Sequence, residues 1–263
     1  MIELLKNQLS FSFPEVHKDA VCRIEFQRTL RIPDDNRQYP LPPGFGRFPL
    51  QHVDDFTDSL PSQWRQRGGV FLPMYQSEAL WVNFLGHYPC AVKVAAGKIN
   101  AVSGDPWKNG LSTRKQDYSV IPDQPWLDGF NVSDDHIRQF VAMPLGQGFT
   151  AEEQLTGGAI HGGLQLIVYP MKRKIYDEMF KWSDDTTFSI REGMSYSSSV
   201  TPGVEEMGLA PGGLMRQTIA KDKYGIEAWD QDNGYRCFVH LANSEQYQGV
   251  TGQQPPYPPI PAK

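Results

Sequence analysis

RQFVAMPLGQGFTAEEQLTGGAIHGGLQLIVY, residues 138–169, decides the fold class. Two short apolar runs, 140–143 and 164–169, flank a polar insert laced with glycine and carrying Glu152, Glu153, Gln154 and His161. The runs are too short for helices and rich in β-branched and aromatic residues, so both read as strands, stopped by Pro144 and Pro170. Within the insert, Thr150-Ala151-Glu152-Glu153 is a capping box that starts a short helix, and Gly157-Gly158 ends it. A compact domain rarely keeps so long a connection between strands without a use for it. Residues 144–163 are therefore expected to cover a cleft.

The chain on either side is read in the same way. Leu9, Phe11 and Phe13 lie two apart with serines between them, and residues 21–26 and 30–32 repeat the alternation of a half-buried sheet. Residues 39–50, YPLPPGFGRFPL, hold too many prolines for regular structure and are expected to form an extended strap, laid on the core by Tyr39, Phe45 and Phe48. A helical piece starts near His52 and is interrupted by Pro61. Residues 68–104 read as a meander of short strands in which Lys93 is the odd charge. It stands either on the wet face of a sheet or in a pocket holding an anion. After a strand at 118–121, two prolines make 122–129 a semi-rigid loop that presents Gln124, Trp126 and Asp128. Residues 171–182 show helical spacing, with Ile175, Met179 and Trp182 on one side and Lys172-Arg173-Lys174 as a solvated start. A serine-rich excursion spans 183–204, MGLAPGG at 207–213 reads as a turn-rich loop, and strands follow at 214–219 and 236–241. The tail, QQPPYPPIPAK from Gln253, is expected to be extended and solvent-exposed, its P-x-x-P spacings leaving docking to a proline-reading domain as the alternative.

Composition narrows the function classes. The 263 residues carry a net charge of −5, without the clustered Lys and Arg of a nucleic-acid surface. No apolar run reaches the roughly 18–20 residues that span a bilayer, and the first residues lack the pattern of a signal peptide. The three cysteines, Cys22, Cys90 and Cys237, make no C-x-x-C pair, so a disulfide framework or structural zinc is not expected. A cytoplasmic protein without metal or cofactor is the resulting expectation.

No H-E-x-x-H, G-x-S-x-G, phosphate-loop or dinucleotide fingerprint is present. A looser constellation remains. Arg138-Gln139 and Arg216-Gln217 are paired echoes, and Gln165 and His161 lie near the first pair in sequence. Two guanidinium groups and several amides facing one cleft would suit a sugar, phosphate or carboxylate. Lys93, Trp126 and Asp128 are the further ligand-binding candidates. His161 with Glu152 or Glu153 is the candidate acid–base pair of a hydrolase or isomerase, and Glu153 is already accounted for as a helix cap.

The strings YPLPPGFGRFPL, LPMYQSEALWVNF, RQFVAMPLGQGFTAEEQLTG and HGGLQLIVYPMK, among others along nearly the whole chain, resemble a family of uncharacterised, mainly bacterial proteins. The resemblance implies no established activity and supplies no catalytic residues.

The sequence thus predicts a predominantly β, α+β fold: antiparallel, sandwich-like sheets, few short helices and long ordered loops. One domain covers 1–252, with a proline-rich tail at 253–263. The expected function is binding of a small polar or anionic ligand. The alternatives are a hydrolase or isomerase centred on His161, and a structural, self-assembling protein, with a homo-oligomer as a further possible partner state.

Overall fold

A computed structural model describes residues 1–180 and 206–260. The serine-rich stretch 183–204 and Trp182 lie outside the described residues. The first half of the chain supplies β1 (Ile2–Leu4), β2 (Leu9–Ser12), β3 (Val21–Thr29), β4 (Gln38–Tyr39), β5 (Gly44–Arg47), β6 (Gln51–His52), helix α1 (Ser62–Arg67), β7 (Val70–Pro73), β8 (Ala79–Leu85), β9 (Cys90–Ala96) and β10 (Ile99–Asn100). The second half adds β11 (Ser119–Ile121), β12 (Trp126–Leu127), β13 (Gly129–Ser133), β14 (His136–Pro144), α2 (Ala151–Thr156), β15 (Leu164–Pro170), α3 (Arg173–Met179), β16 (Met207–Arg216), β17 (Tyr235–Ala242) and α4 (Ser244–Thr251). The protein is a strand-dominated α+β fold in which these strands join one hydrogen-bonded, mainly antiparallel sheet.

Strand β8 is a junction. Its one edge is taken by β3, from Arg23↔Leu85 to Thr29↔Ala79, and its other edge is shared by β14 and β12. From β14 the sheet passes to β16 and, through Met207↔Leu241, to β17. Beyond β17 come β15 and then β9, in register from Leu164↔Ala96 to Pro170↔Cys90. The parallel contacts are β4 on β16 and β7 on β17. Every residue of β9 and of β15 is buried, as in strands covered on both faces. A single apolar cluster joins Phe11, Ile24 and Phe26 of the first strands to Val92, Val94, Leu166 and Val168, so both halves of the sheet close on one core.

The alternation rule works well at both ends. On β17, Cys237, Val239 and Leu241 enter the core, and on β2 Leu9 and Phe11 do the same. Several expectations need correction. The 39–50 strap holds the end of β4 and all of β5, because neither short strand contains one of its prolines. Phe48 is buried there, but Phe45 stays exposed, as does Met179 on α3. Trp126 and Leu127 form β12, so the semi-rigid loop is partly strand.

The largest departure is MGLAPGG. It is not a loop but the first seven residues of β16. Its glycines serve close packing. The β14/β16 register shifts between Arg138 and Phe140, opposite Pro211, Gly212 and Gly213, which marks a bulge that accommodates the proline. A Cβ on Gly213 would lie 2.4 Å from the Pro33 carbonyl oxygen, and one on Gly212 would lie 2.5 Å from Val141 Cγ2. Gly213→Ala is therefore expected to cost about 1–3 kcal/mol, the penalty of overpacking. Gly158→Ala, whose Cβ would meet Thr156 Oγ1 at 3.4 Å, should stay within about 0.5 kcal/mol of wild type. Urea unfolding checks both, and equal midpoints for the two variants would contradict the close-approach role.

Candidate functional site

Three of the nine ligand-binding candidates serve the fold. Lys93 lies in the middle of β9 and has no solvent exposure. Its ammonium meets Asp117 Oδ2 at 2.6 Å, donates to the Lys108 carbonyl at 2.7 Å and to the Gly110 carbonyl, and sits 4.9 Å from the Trp107 ring centre. It is on neither a wet face nor an open anion pocket, because a charge at that position survives burial only with a partner supplied by the chain. Gln139 is fully buried: its Oε1 accepts from the Ile32 N–H and its Nε2 donates to the Leu30 carbonyl, replacing a missing strand partner. Arg138 donates to Asp34, Asn36 and the Gly212 carbonyl, fastening the turn at 33–36 to β14.

Within the 144–163 insert the short helix starts and stops where its signals place it, but no residue of the insert covers the cavity described below. Thr150 and Glu153 exchange both bonds of a capping box, and Gly157 ends α2 in the left-handed conformation. Glu152 turns inward and is buried. Its Oε2 accepts from the His161 N–H at 3.0 Å, while Oε1 lies 3.3 Å from His161 Nδ1 without the alignment of a hydrogen bond. Burial, reinforced by the cationic Lys98 and Arg67 nearby, pushes the His161 imidazole down to about 4, and burial raises the Glu152 carboxyl. The pair is a neutral imidazole facing a carboxyl that is reluctant to ionise. Gln165 donates to the Gly97 carbonyl at the hairpin beneath this pair. Arg67 and Lys98 were not singled out by the sequence. One ends a six-residue helix and the other turns a hairpin, and no spacing links either to His161.

The remaining four candidates converge. Trp126, Asp128, Arg216 and Gln217 line one cavity of about 270 Å³, together with Gln124 and Thr218. Neither His161 nor any residue of the 144–163 insert lines it. Gln217 Oε1 accepts from the Asp128 N–H and its amide donates to the Trp126 carbonyl, which also receives Gln124 Nε2. Gln124 Oε1 in turn accepts from the Ala220 N–H, so the two walls are tied together by glutamines. The Trp126 indole N–H donates to Asp128 Oδ2 at 2.9 Å, and the ring remains 38% exposed. Asp128 itself is 3% exposed, and its second oxygen, Oδ1, is buried with no hydrogen-bond partner. Burial pushes this carboxyl up to about 7, against the lowering effect of the Trp126 hydrogen bond. Arg216 stands at the end of β16 with a largely exposed side chain, its guanidinium 4.0 Å from Asp135.

Compared with protein-family models, with curated proteins and with solved structures, the chain finds no match. The geometry alone therefore carries the functional reading. Among the described residues, no three His, Cys, Asp or Glu side chains gather closely enough to hold a metal ion, and no helix is long and apolar enough to cross a membrane.

The Asp128 environment predicts a pH signature. A carboxyl raised from 3.8 to about 7 keeps its proton in the folded chain while the unfolded chain has already lost it. Its contribution to stability is therefore complete below about pH 4 and is lost progressively as pH rises to about 7. Asp128→Asn removes the titration, so its stability relative to wild type should improve across that window. Urea midpoints at several pH values check this, and a difference independent of pH would show that Asp128 ionises normally.

Proposed function

We propose that the protein binds a small polar ligand in the cavity between residues 123–128 and 216–220. The class that fits is a molecule with hydroxyls and an oxyanion, such as a sugar acid, sugar phosphate or hydroxycarboxylate. The observation that carries this reading is the convergence of Trp126, Asp128, Arg216 and Gln217 on one cavity from two distant segments. Within that set Asp128 Oδ1 is buried with no side-chain or backbone partner among the described residues, and its carboxyl is raised to about 7 by burial. Trp126 offers an apolar ring face, Gln124 and Gln217 fix the walls, and Arg216 is a guanidinium near the mouth, suited to an oxyanion. The three unpaired, buried cysteines support a reducing setting, such as the cytoplasm, for this activity.

Thermal-shift screening followed by calorimetry tests the reading, using glucose, glucuronate, glucose 6-phosphate, citrate and inorganic phosphate. At least one hydroxylated anion should raise the melting temperature. Arg216→Ala should weaken it about 10–100-fold, the value of a charge-assisted hydrogen bond, and Asp128→Asn should weaken it as well. No stabilisation by any of the five, or affinity indifferent to both substitutions, would overturn the proposal.

A second reading rests on the His161–Glu152 contact. A half-buried imidazole within 3.3 Å of a buried carboxylate oxygen is the geometry of an acid–base pair, and Arg67 and Lys98 supply positive charge beside it. Its test is a panel of chromogenic ester, phosphoester and glycoside substrates. Turnover lost in both His161→Asn and Glu152→Gln would support it, whereas an inactive wild-type protein would remove it.

A further inference from the structure

Strand β12 sets out its side chains by the alternation rule. Leu127, paired with Val82 of β8, has no solvent exposure and joins the core. Successive side chains of an extended chain point to opposite faces, so Trp126 and Asp128 share the face opposite Leu127, and both line the cavity. The indole N–H donates to Asp128 Oδ2 at 2.9 Å. That N–H lies in the plane of its ring, so the bond pins the edge of Trp126 to Asp128 and fixes the direction of its faces. Trp64 and Trp229 show what a tryptophan of the core looks like, since both are buried. Trp126 is held in place yet exposed.

A second apolar side chain shares the site. Leu41 lines the same cavity and is 44% exposed. It follows β4, which runs parallel to β16 with Tyr39 opposite Met215, and so reaches the wall that carries Arg216 and Gln217. An indole face and a leucine thus stand beside a carboxyl and a guanidinium. An open-chain hydroxy acid carries hydroxyls along its whole length and has no apolar face to lay on such groups. A pyranose with equatorial hydroxyls keeps them on its rim and presents C–H groups above and below. One such face lies flat on an indole, burying apolar area and gaining close dispersion contact, while a rim hydroxyl reaches the carboxyl at the edge of the indole.

We infer that the ligand is cyclic, a pyranose bearing a carboxylate or phosphate, and that Trp126 is the residue that selects the ring over the open chain. The inference rests on the reading of this cavity as the binding site. The C–H face of the sugar lies on the indole, a rim hydroxyl donates to Asp128 Oδ1, and the anionic substituent turns to Arg216.

Calorimetry on the full chain with two matched pairs of compounds tests this. Glucuronate and gulonate share a carbon skeleton and a carboxylate, but gulonate is reduced at the aldehyde carbon and cannot close a ring. Glucose 6-phosphate and sorbitol 6-phosphate differ in the same way. In at least one pair the cyclic member should bind about 3–10-fold more tightly, the value of one aromatic face. The pair that shows it tells whether the site takes a carboxylate or a phosphate. Trp126→Ala should remove the preference. Trp126→Phe keeps a flat ring without the N–H, so it should retain the preference at reduced affinity. Equal affinity of cyclic and open members, or a preference that survives in Trp126→Ala, would overturn the inference and leave the cavity reading standing. If the alanine variant binds nothing, loss of binding or of preference in Trp126→Phe overturns it as well. No binding by any of the four overturns the inference, and silence of citrate and inorganic phosphate too would remove the cavity reading beneath it.

Discussion

A lysine ammonium shut off from bulk solvent sits in the middle of the sheet, and much of the surrounding loop structure answers to its charge. Lys93 belongs to β9, a strand buried along its whole length, so neither bulk solvent nor a snorkelling side chain can relieve it. The segment between β10 and β11 is folded to meet it. Two of its carbonyls, at Lys108 and Gly110, and the Asp117 carboxylate converge on Nζ, while Asp117 Oδ1 accepts from the Ser112 N–H to hold the loop in that shape. Asn100 completes the frame by accepting from Val102 and Ser103 and donating to the Asp117 carbonyl. Losing one member of such a pair leaves an uncompensated buried charge, a loss on the order of 3–5 kcal/mol, so the loop and the strand stand or fall together.

The same chain of polar contacts runs on to the cavity. Gln116, next to Asp117, donates to the Ala220 carbonyl and accepts from the Asp222 N–H. Ala220 then donates to Gln124, and Gln124 and Gln217 both reach the Trp126 carbonyl. The cavity walls thus combine the ends of β12 and β16 with loop segments tied by glutamine amides.

How much of this was legible in the sequence depends on what each residue's pattern reports. Alternation in β2, β3 and β17 reports a buried face directly, and the capping box at Thr150 and Glu153 is a local motif with local partners, so both were readable. MGLAPGG was not, because glycine and proline signal a turn only when the chain reverses. Here they allow a strand to lie against Ile32 and Pro33, a tertiary fact. Gln139 and Arg138 drew attention as polar residues beside an apolar run. A fold with so many irregular crossings leaves buried backbone groups that need side-chain partners, and Gln139 answers the N–H of Ile32 and the carbonyl of Leu30. Polarity in a core strand was a sound signal of necessity, but the necessity was structural. Trp126 and Asp128 were chosen for their place in a proline-fixed loop, Arg216 and Gln217 as an echo of Arg138-Gln139 on an expected strand, and the meeting of all four in one cavity rests on a pairing of distant segments that no spacing reveals.

Asp222 shows why Asp128 stands out. Both carboxylates accept an indole N–H, from Trp229 and Trp126 respectively, and both belong to the loops around the cavity. Asp222 is saturated: Tyr118 and Trp229 serve Oδ2, and the N–H groups of Tyr224 and Gly225 serve Oδ1. Tyr118 gains from this as well, since its phenol is held well above its ordinary range by burial and by that carboxylate. Asp128 has only the indole at Oδ2, and burial keeps it near neutrality. Two aspartates in neighbouring loops thus differ in bonding, one saturated at both oxygens and the other served by a donor at Oδ2 alone. A hydroxyl reaching Oδ1 would supply what Asp222 already has, and would make the charged form of Asp128 the stable one.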